Sequence, residues 1–385
     1  MGDAHGATVL AAGVIVMLAI FAKAACRRLR VPALVGYLLL GLAGAMANHR
    51  WALFDEQAMA VFDLLAAIGV ICLLFRVGLE SDKPALIDQL GTAIRVWIGN
   101  IGLSALAGYL TARYLLDFAL VPSLFIAVAL SATSLGVSVE VWREAGALRT
   151  RAAGLLIDVA EMDDISGIAL LAILLAIAPL LHDGDGSSVL AAIGATGALF
   201  AVKAVAFGGF CIAFAKYLEK PITDFFRRVE PAPDPMLLVI ATGVVIAAAA
   251  DWLGFTLAIG ALFAGLIFSR DPETVKGDAS FAAIYDLFTP FFFIYIGLTL
   301  DIAALGLGLG VGIVLLAAAV FGKVIGSAVP ILRSSGLAGA CLIGVSMVPR
   351  AEIAMVIMAE GRRLGDWAVP PEAFAGLVGV SLATC

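Results

Sequence analysis

Leu155-Leu-Ile-Asp158-Val-Ala-Glu161-Met-Asp163-Asp164-Ile-Ser-Gly-Ile-Ala-Leu-Leu-Ala-Ile-Leu-Leu-Ala-Ile-Ala-Pro-Leu-Leu181 reads as a membrane-crossing helix with carboxylates set inside it. A charged side chain at bilayer mid-depth costs at least about 2.5–3.5 kcal/mol, so acids retained there point to a function. The adjacent pair Asp163 and Asp164 points further, to cations or protons as what the helix handles.

The rest of the chain supplies the membrane context. Its 385 residues are 62% hydrophobic and 14% charged, with mean hydropathy +1.07, whereas soluble chains average about 25% charged residues. Apolar surface on that scale identifies an all-α polytopic membrane protein. A formal net charge of −6 argues against nucleic acid as a partner. The five cysteines, Cys26, Cys72, Cys211, Cys341 and Cys385, have neither metal-ligand nor disulfide-framework spacing and read as packing residues. The first apolar run, Thr8 to Phe21, lacks a basic stretch before it and is followed by Lys23, Arg27, Arg28 and Arg30, which marks a first span and not a cleaved signal.

Hydropathy and loop signals predict about thirteen spans, at 7–25, 33–47, 58–79, 89–112, 118–140, 152–181, 188–215, 236–250, 253–269, 281–300, 304–331, 336–360 and 369–385. The run divided at Asp251–Trp252 is counted as two spans, because one helix of that length overshoots a hydrocarbon core of about 30 Å. Lys and Arg collect in cytoplasmic loops. With the N-terminus outside and the C-terminus cytoplasmic, the inner loops hold Lys23, Arg27, Arg28, Arg30, Lys83, Arg95, Arg143, Arg149, Arg151, Lys216, Lys220, Arg227, Arg228, Arg270, Lys276 and Arg333. The outer ones hold Arg50, Arg113, Arg362 and Arg363. Arg76, Lys203, Lys323 and Arg350 fall within spans, each a candidate partner for a buried acid.

The pattern also repeats. Gly36-Tyr-Leu-Leu-Leu-Gly41-Leu in span 2 is echoed by Gly260-Ala-Leu-Phe-Ala-Gly265-Leu in span 9. Leu74-Phe-Arg-Val-Gly78-Leu-Glu80 closes span 3, and Phe293-Ile-Tyr-Ile-Gly297-Leu-Thr299 closes span 10. An offset of seven spans reverses direction across the membrane, so the echoes predict two inverted six-helix repeats, spans 1–6 and 8–13, joined by span 7. Such repeats mark secondary transporters, whose sites lie mid-membrane on interrupted helices. The interruptions are expected in span 5 at Ser131-Ala-Thr133-Ser-Leu-Gly-Val-Ser138 and in span 12 at Ser346-Met-Val-Pro-Arg350-Ala-Glu352. Broken helix ends carry partial charges of about half an electron, which Arg350 and Glu352 can compensate. The alternative is a simple kink at Pro349 with a local Arg350–Glu352 pair.

Together these stretches resemble the monovalent cation/proton antiporter superfamily, second branch: bacterial thirteen-span Na⁺/H⁺ antiporters of the NhaA fold. The residues that carry the resemblance are Gly36 to Leu42, Leu74 to Glu80, Ala132-Thr-Ser134, Asp163-Asp164, Pro290 to Leu298, Gly322-Lys323-Val-Ile-Gly326 and Met347 to Glu352. The resemblance implies that Asp164 is the main Na⁺ ligand, that Asp163 is its proton-linked partner, and that Lys323 is the counter-charge of Asp163. It implies a scaffold and dimerisation domain at 1–87 and 236–303, an ion-transporting core at 88–181 and 304–385, and a linker helix with a cytoplasmic loop at 188–235. It also implies a homodimer in the bacterial inner membrane and no cofactor, with Na⁺ or Li⁺ favoured over K⁺, and protons, as cargo. Glu161 and Asp158 depart from the family pattern. Residues three apart share a helix face, so Glu161 either adds a third carboxylate to the site or pairs with a cation such as Lys203.

The residues suggest how exchange would work. Burial and a neighbouring carboxylate both favour the protonated acid, so such a pair exchanges protons near neutral pH, and coupled groups titrate as one site. Oxygen atoms of Asp164, Asp163, Thr133 and nearby carbonyls suit a hard monovalent cation. Two protons entering per Na⁺ leaving would move one net charge, which about 100 mV drives with about 2.3 kcal/mol. The other readings are a passive cation channel or uniporter, which conducts without obligatory proton exchange, and an intramembrane aspartyl protease. The protease needs aspartates on separate helices, and Tyr285-Asp286 is its only loose echo. The expectation is a transporter and not an enzyme.

Overall fold

The computed structural model describes residues 2–80, 90–147, 150–183, 189–218, 235–253, 255–268 and 279–385, with 221 and 225. Of the basic residues used to orient the spans, Lys83, Arg149, Lys220, Arg227, Arg228, Arg270 and Lys276 lie outside the described residues.

Regular structure among the described residues is helical: α1 Gly2–Leu29, α2 Ala33–Trp51, α3 Glu56–Glu80, α4 Leu90–Leu110, α5 Leu120–Ser131, α6 Leu135–Glu144, α7 Arg151–Asp183, α8 Val189–Ala213, α9 Pro235–Trp252, α10 Leu257–Phe268, α11 Ala279–Leu298, α12 Leu305–Ala328, α13 Leu332–Ser346, α14 Glu352–Leu364 and α15 Pro371–Thr384. Six helical stretches among them are long and apolar enough to cross a bilayer: Thr8–Leu29, Glu56–Arg76, Gly91–Leu115, Arg151–His182, Phe281–Leu298 and Leu305–Ser346. The last contains a 3₁₀ turn, Val329–Ile331, and a break at Gly336, whose φ of 67° is open to glycine. Shorter apolar helices include Leu120–Ser131, Leu257–Phe268 and Pro371–Thr384.

The chain divides into two compact units. One comprises Met1–Asp82 and Gly197–Thr299, the other Lys83–Thr196 and Leu300–Cys385, so the boundary falls inside α8.

In the first unit, the echoed glycines explain how the helices pack. α2 crosses α11 where a Cβ on Gly41 would stand 2.1 Å from the Ile294 carbonyl oxygen and one on Gly297 would stand 2.5 Å from the Leu38 carbonyl oxygen. α3 crosses α10 at Gly78 and Gly265 in the same way, 2.3 Å from the Leu262 oxygen and 2.2 Å from the Phe75 oxygen. The two crossings are reciprocal: each pairs a glycine from one echoed segment with a glycine from the other. Small residues at a crossing let backbones approach, and packing is what joins helices that have no water to escape.

The basic residues of this unit that fall inside spans find partners there. Arg76 lies over the Tyr285 ring, 4.4 Å from its centroid. Lys203 Nζ donates to the Leu253 carbonyl at 3.1 Å; Lys23, counted with the inner loops, forms an ion pair with Asp286 at 2.8 Å.

In the second unit, α12 packs against both α4 and α15. Glycines again set the spacing: Gly308 and Gly312 meet Ala375 and Gly376, while Gly322 and Gly326 meet Ser104 and the Gly99–Asn100 backbone. α7 buries Leu155, Leu156, Val159 and Ala160 with Ala93 and Val96 of α4 and Ala340 and Ile343 of α13. That packing holds the acid-bearing helix against α4, which carries Asn100.

Candidate functional site

Both polar patches interrupt their helices. Residues 132–134 separate α5 from α6, and residues 347–351 separate α13 from α14. The two gaps touch, because the Ser134 backbone N–H donates to the Pro349 carbonyl at 2.7 Å. Pro349 can take this role because its neighbours are already outside helical geometry.

Polar and charged side chains gather at these helix ends. At the C-terminal end of α5, Arg350 Nη2 and Nε donate to the Leu130 carbonyl at 2.6 and 3.2 Å. The same guanidinium reaches the Ala319 carbonyl at 3.3 Å and the Val348 carbonyl at 3.0 Å. Lys323 takes the Ser131 carbonyl at 2.5 Å. Two cations therefore sit on the negative end of one half-helix, where the dipole favours them. Glu352 lies in the first turn of α14, and its Oε2 accepts from Ser134 Oγ at 2.8 Å, just before α6 begins. At the end of α13, the Ser346 carbonyl accepts from Ser138 Oγ at 2.5 Å, and Trp142 Nε1 donates to Ser346 Oγ at 2.9 Å.

Asp163 stands beside these ends. Its Oδ2 accepts from Lys323 Nζ at 2.9 Å, from Thr133 Oγ1 at 2.6 Å and from Asn100 Nδ2. Lys323 also donates to Thr133 Oγ1 at 2.7 Å, so all three ammonium protons have acceptors. The threonine hydroxyl both receives from the lysine and gives to the aspartate. Lys323 and Arg350 are wholly buried, and Asp163 is 1% exposed. A buried ion pair depends on further hydrogen bonds; here Thr133 and Asn100 supply them to Asp163 Oδ2, and Ser131 and Thr133 accept from the ammonium.

Asp164 is 5% exposed. Among the described residues, Asp163 Oδ1 and Asp164 Oδ1 are buried with no hydrogen-bond partner. Asp158 on the same helix is also buried, and Glu161 is partly so. No cluster of three His, Cys, Asp or Glu with metal-site spacing occurs among the described residues.

Five of the residues chosen from sequence thus fall in two groups. Asp163, Thr133 and Lys323 form one bonded set. Arg350 and Glu352 occupy opposite-sign helix ends, each bonded to the other interrupted helix. Asn100 and Ser327 were not singled out in the sequence, although Asn100 is a lone amide in an apolar stretch of α4 and Ser327 lies one turn from Lys323.

A helical membrane protein that buries a lysine–aspartate pair beside two interrupted helices has the layout of an ion-translocating transporter. The family is specific: residues 14–385 match the transmembrane sodium/hydrogen exchanger family, and the chain belongs to it, within the monovalent cation/proton antiporter superfamily. It is 25% identical over 370 residues to the high-affinity Na⁺/H⁺ antiporter NhaS3 of Synechocystis, covering 91% of this chain and 75% of that one. It is 27% identical to a Na⁺/H⁺ antiporter of Enterococcus hirae, over 88% of this chain and 85% of that one. It is also 27% identical to the Na⁺/H⁺-K⁺ antiporter GerN of Bacillus cereus, over 88% and 84%. Its fold is similar to that of the sodium proton antiporter MjNhaP1 of Methanocaldococcus jannaschii, with TM-score 0.75 and 16% identity over 98% of this chain and 93% of that one.

Proposed function

We propose that this protein is a secondary active antiporter that exchanges a monovalent cation for protons at Asp163 and Asp164 by alternating access. The observation that carries this reading is the division of labour in the pair. Asp163 Oδ2 is saturated by donors, while Asp163 Oδ1 and Asp164 Oδ1 are buried without partners among the described residues. An unsatisfied buried carboxylate oxygen has two inexpensive fates, a proton or a cation. Those are the two cargoes of an exchanger.

Asp164 is the main cation ligand, with Asp163 Oδ1 as its neighbour and Lys323 as the charge that replaces the cation when it leaves. In this geometry Thr133 stands on the lysine side of Asp163, linking the pair. Na⁺ and Li⁺ fit a carboxylate site best. K⁺ is a further candidate, since one relative is named a Na⁺/H⁺-K⁺ antiporter.

The unit formed by Lys83–Thr196 and Leu300–Cys385 carries every site residue and acts as the moving core. The other unit acts as scaffold and homodimer contact. The reciprocal glycine crossings in the scaffold support an inverted repeat, which gives rocking exchange its two equivalent states. The protein lies in a bacterial inner membrane with its N-terminus outside and its C-terminus cytoplasmic.

The deciding experiment uses proteoliposomes holding a pH gradient. Addition of Na⁺, Li⁺ or K⁺ dissipates the gradient with the native protein and fails with Asp164→Asn. Exchange retained by Asp164→Asn overturns the site, and cation flux that continues without opposing proton movement overturns antiport in favour of a channel.

A further inference from the structure

Two of the three donors on Asp163 Oδ2, Lys323 and Thr133, already have roles in the exchange. The third, Asn100 on α4, is wholly buried. A carboxylate cannot donate, so the amide must turn its NH₂ toward Asp163 and its carbonyl oxygen away. That oxygen accepts from Ser327 Oγ at 3.1 Å. Ser327 follows Lys323 by one turn on α12, and residues four apart share a helix face. The carboxylate, which only accepts, sets the orientation of the amide, and the Ser327 hydroxyl, which can donate, anchors its other end in that orientation.

The backbone around it leaves little play. A Cβ on Gly99 would lie 2.6 Å from the Gly326 carbonyl oxygen, and one on Gly326 would lie 2.6 Å from the Gly99 carbonyl oxygen and 3.0 Å from Asn100 Cα. α4 and α12 are thus in backbone contact beside the amide. Lys323 and Ser327 reach Asp163 from the same helix, one directly by charge and one through Asn100.

We propose that Asn100 is a positioning residue for cation binding: anchored by Ser327, it pins Asp163 Oδ2 on the lysine side so that Oδ1 is the oxygen offered to the cation. This rests on the reading of Asp163 and Asp164 as the exchange site. When Lys323 withdraws, a carboxylate held only by a hydroxyl is free to turn about its χ angles. The anchored amide keeps it in place, so the cation meets a preformed oxygen and not a mobile one. Preorganisation of this kind acts on affinity.

The test is made on the full chain in proteoliposomes, with Na⁺ and Li⁺ as probes and thermal unfolding in detergent as the control for folding. Asn100→Ala raises the apparent KM for Na⁺ about tenfold, as expected for losing a hydrogen bond to a charged group, with the maximal rate within about twofold of native. Ser327→Ala leaves the amide but frees it, and raises KM about threefold. Asn100→Leu keeps the bulk while removing the donor, and raises KM at least as far as Asn100→Ala. An unchanged KM in folded Asn100→Ala overturns the proposal. Should Asn100→Ala not fold, Ser327→Ala decides alone, and native KM in that variant overturns it. Loss of maximal rate and melting temperature together, with KM unmoved, assigns Asn100 to packing only and also overturns it. Failure of the exchange site itself is distinguished by Asp164→Asn: if that variant is inactive and the Asn100 variants keep native KM, only the positioning role is lost.

Discussion

The Ser134 N–H donates to the Pro349 carbonyl at 2.7 Å, joining two helix interruptions that lie more than two hundred residues apart in sequence. Around this contact, Arg350 and Lys323 occupy the carbonyl end of α5, and Glu352 occupies the amide end of α14. Broken helices in a bilayer need this compensation, because lipid offers no hydrogen bonds to free backbone groups. The compensated ends hold Asp163 in place without occupying its second oxygen.

Lys323→Ala is expected to uncouple exchange from membrane potential. The lysine satisfies Asp163 at 2.9 Å with both side chains fully buried, and an unpaired buried carboxylate is held more cheaply with a proton. Without the ammonium, no positive charge is released from the pair when a cation binds. Exchange driven by a pH gradient should persist while its response to an imposed potential disappears, measured as rates with and without a K⁺/valinomycin potential. A retained response removes the lysine from charge movement.

In the proposed site protons and the cation share the same oxygens, and that competition sets the sign of the pH dependence. Protons favour the acid form and the cation favours the carboxylate, so apparent Na⁺ affinity rises with pH and falls as pH is lowered. With one competing proton, the apparent KM changes roughly tenfold per pH unit in the titrating range. Maximal rate at saturating Na⁺ should change less than KM. A KM independent of pH would mean that the two cargoes use different groups.

Arg350→Lys is expected to be destabilising although charge is kept. A guanidinium reaches Leu130, Val348 and Ala319 carbonyls together, whereas an ammonium on a flexible stem lacks that planar fork. Leaving one or two buried carbonyls unsatisfied costs about 1–3 kcal/mol each. The melting temperature in detergent should fall by several degrees, with Arg350→Ala lower still. Native stability for Arg350→Lys would show that charge alone compensates the helix end.

Gly297→Ala tests the reciprocal crossings. The added methyl would stand 2.5 Å from the Leu38 carbonyl oxygen, so α2 and α11 must separate. Overpacking of this kind costs about 1–3 kcal/mol. Gly265→Ala should cost a similar amount at the matching crossing, while Gly102→Ala, which meets nothing within 4 Å, should be neutral in the same thermal assay.

The roles proposed for Asp163, Asp164 and Lys323 rest on the family resemblance, but the sequence by itself determined the membrane setting, the positions of both interruptions and the placing of charged residues inside spans. Those conclusions follow from local quantities: apolar length, the cost of charge in lipid, and glycine or proline in the middle of a span. Tertiary structure decided which groups meet. That Lys203 turns to the Leu253 carbonyl, that Thr133 bridges Lys323 to Asp163, and that Arg350 serves carbonyls of three separate segments depend on contacts between distant residues. Asn100 shows the difference most plainly. In sequence it is one amide in an apolar helix, and only the backbone contact of α4 with α12, permitted by Gly99 and Gly326, brings it to Asp163 and Ser327 at once. Hydrogen bonding is directional and short-ranged, so its partners are fixed by packing and not by composition.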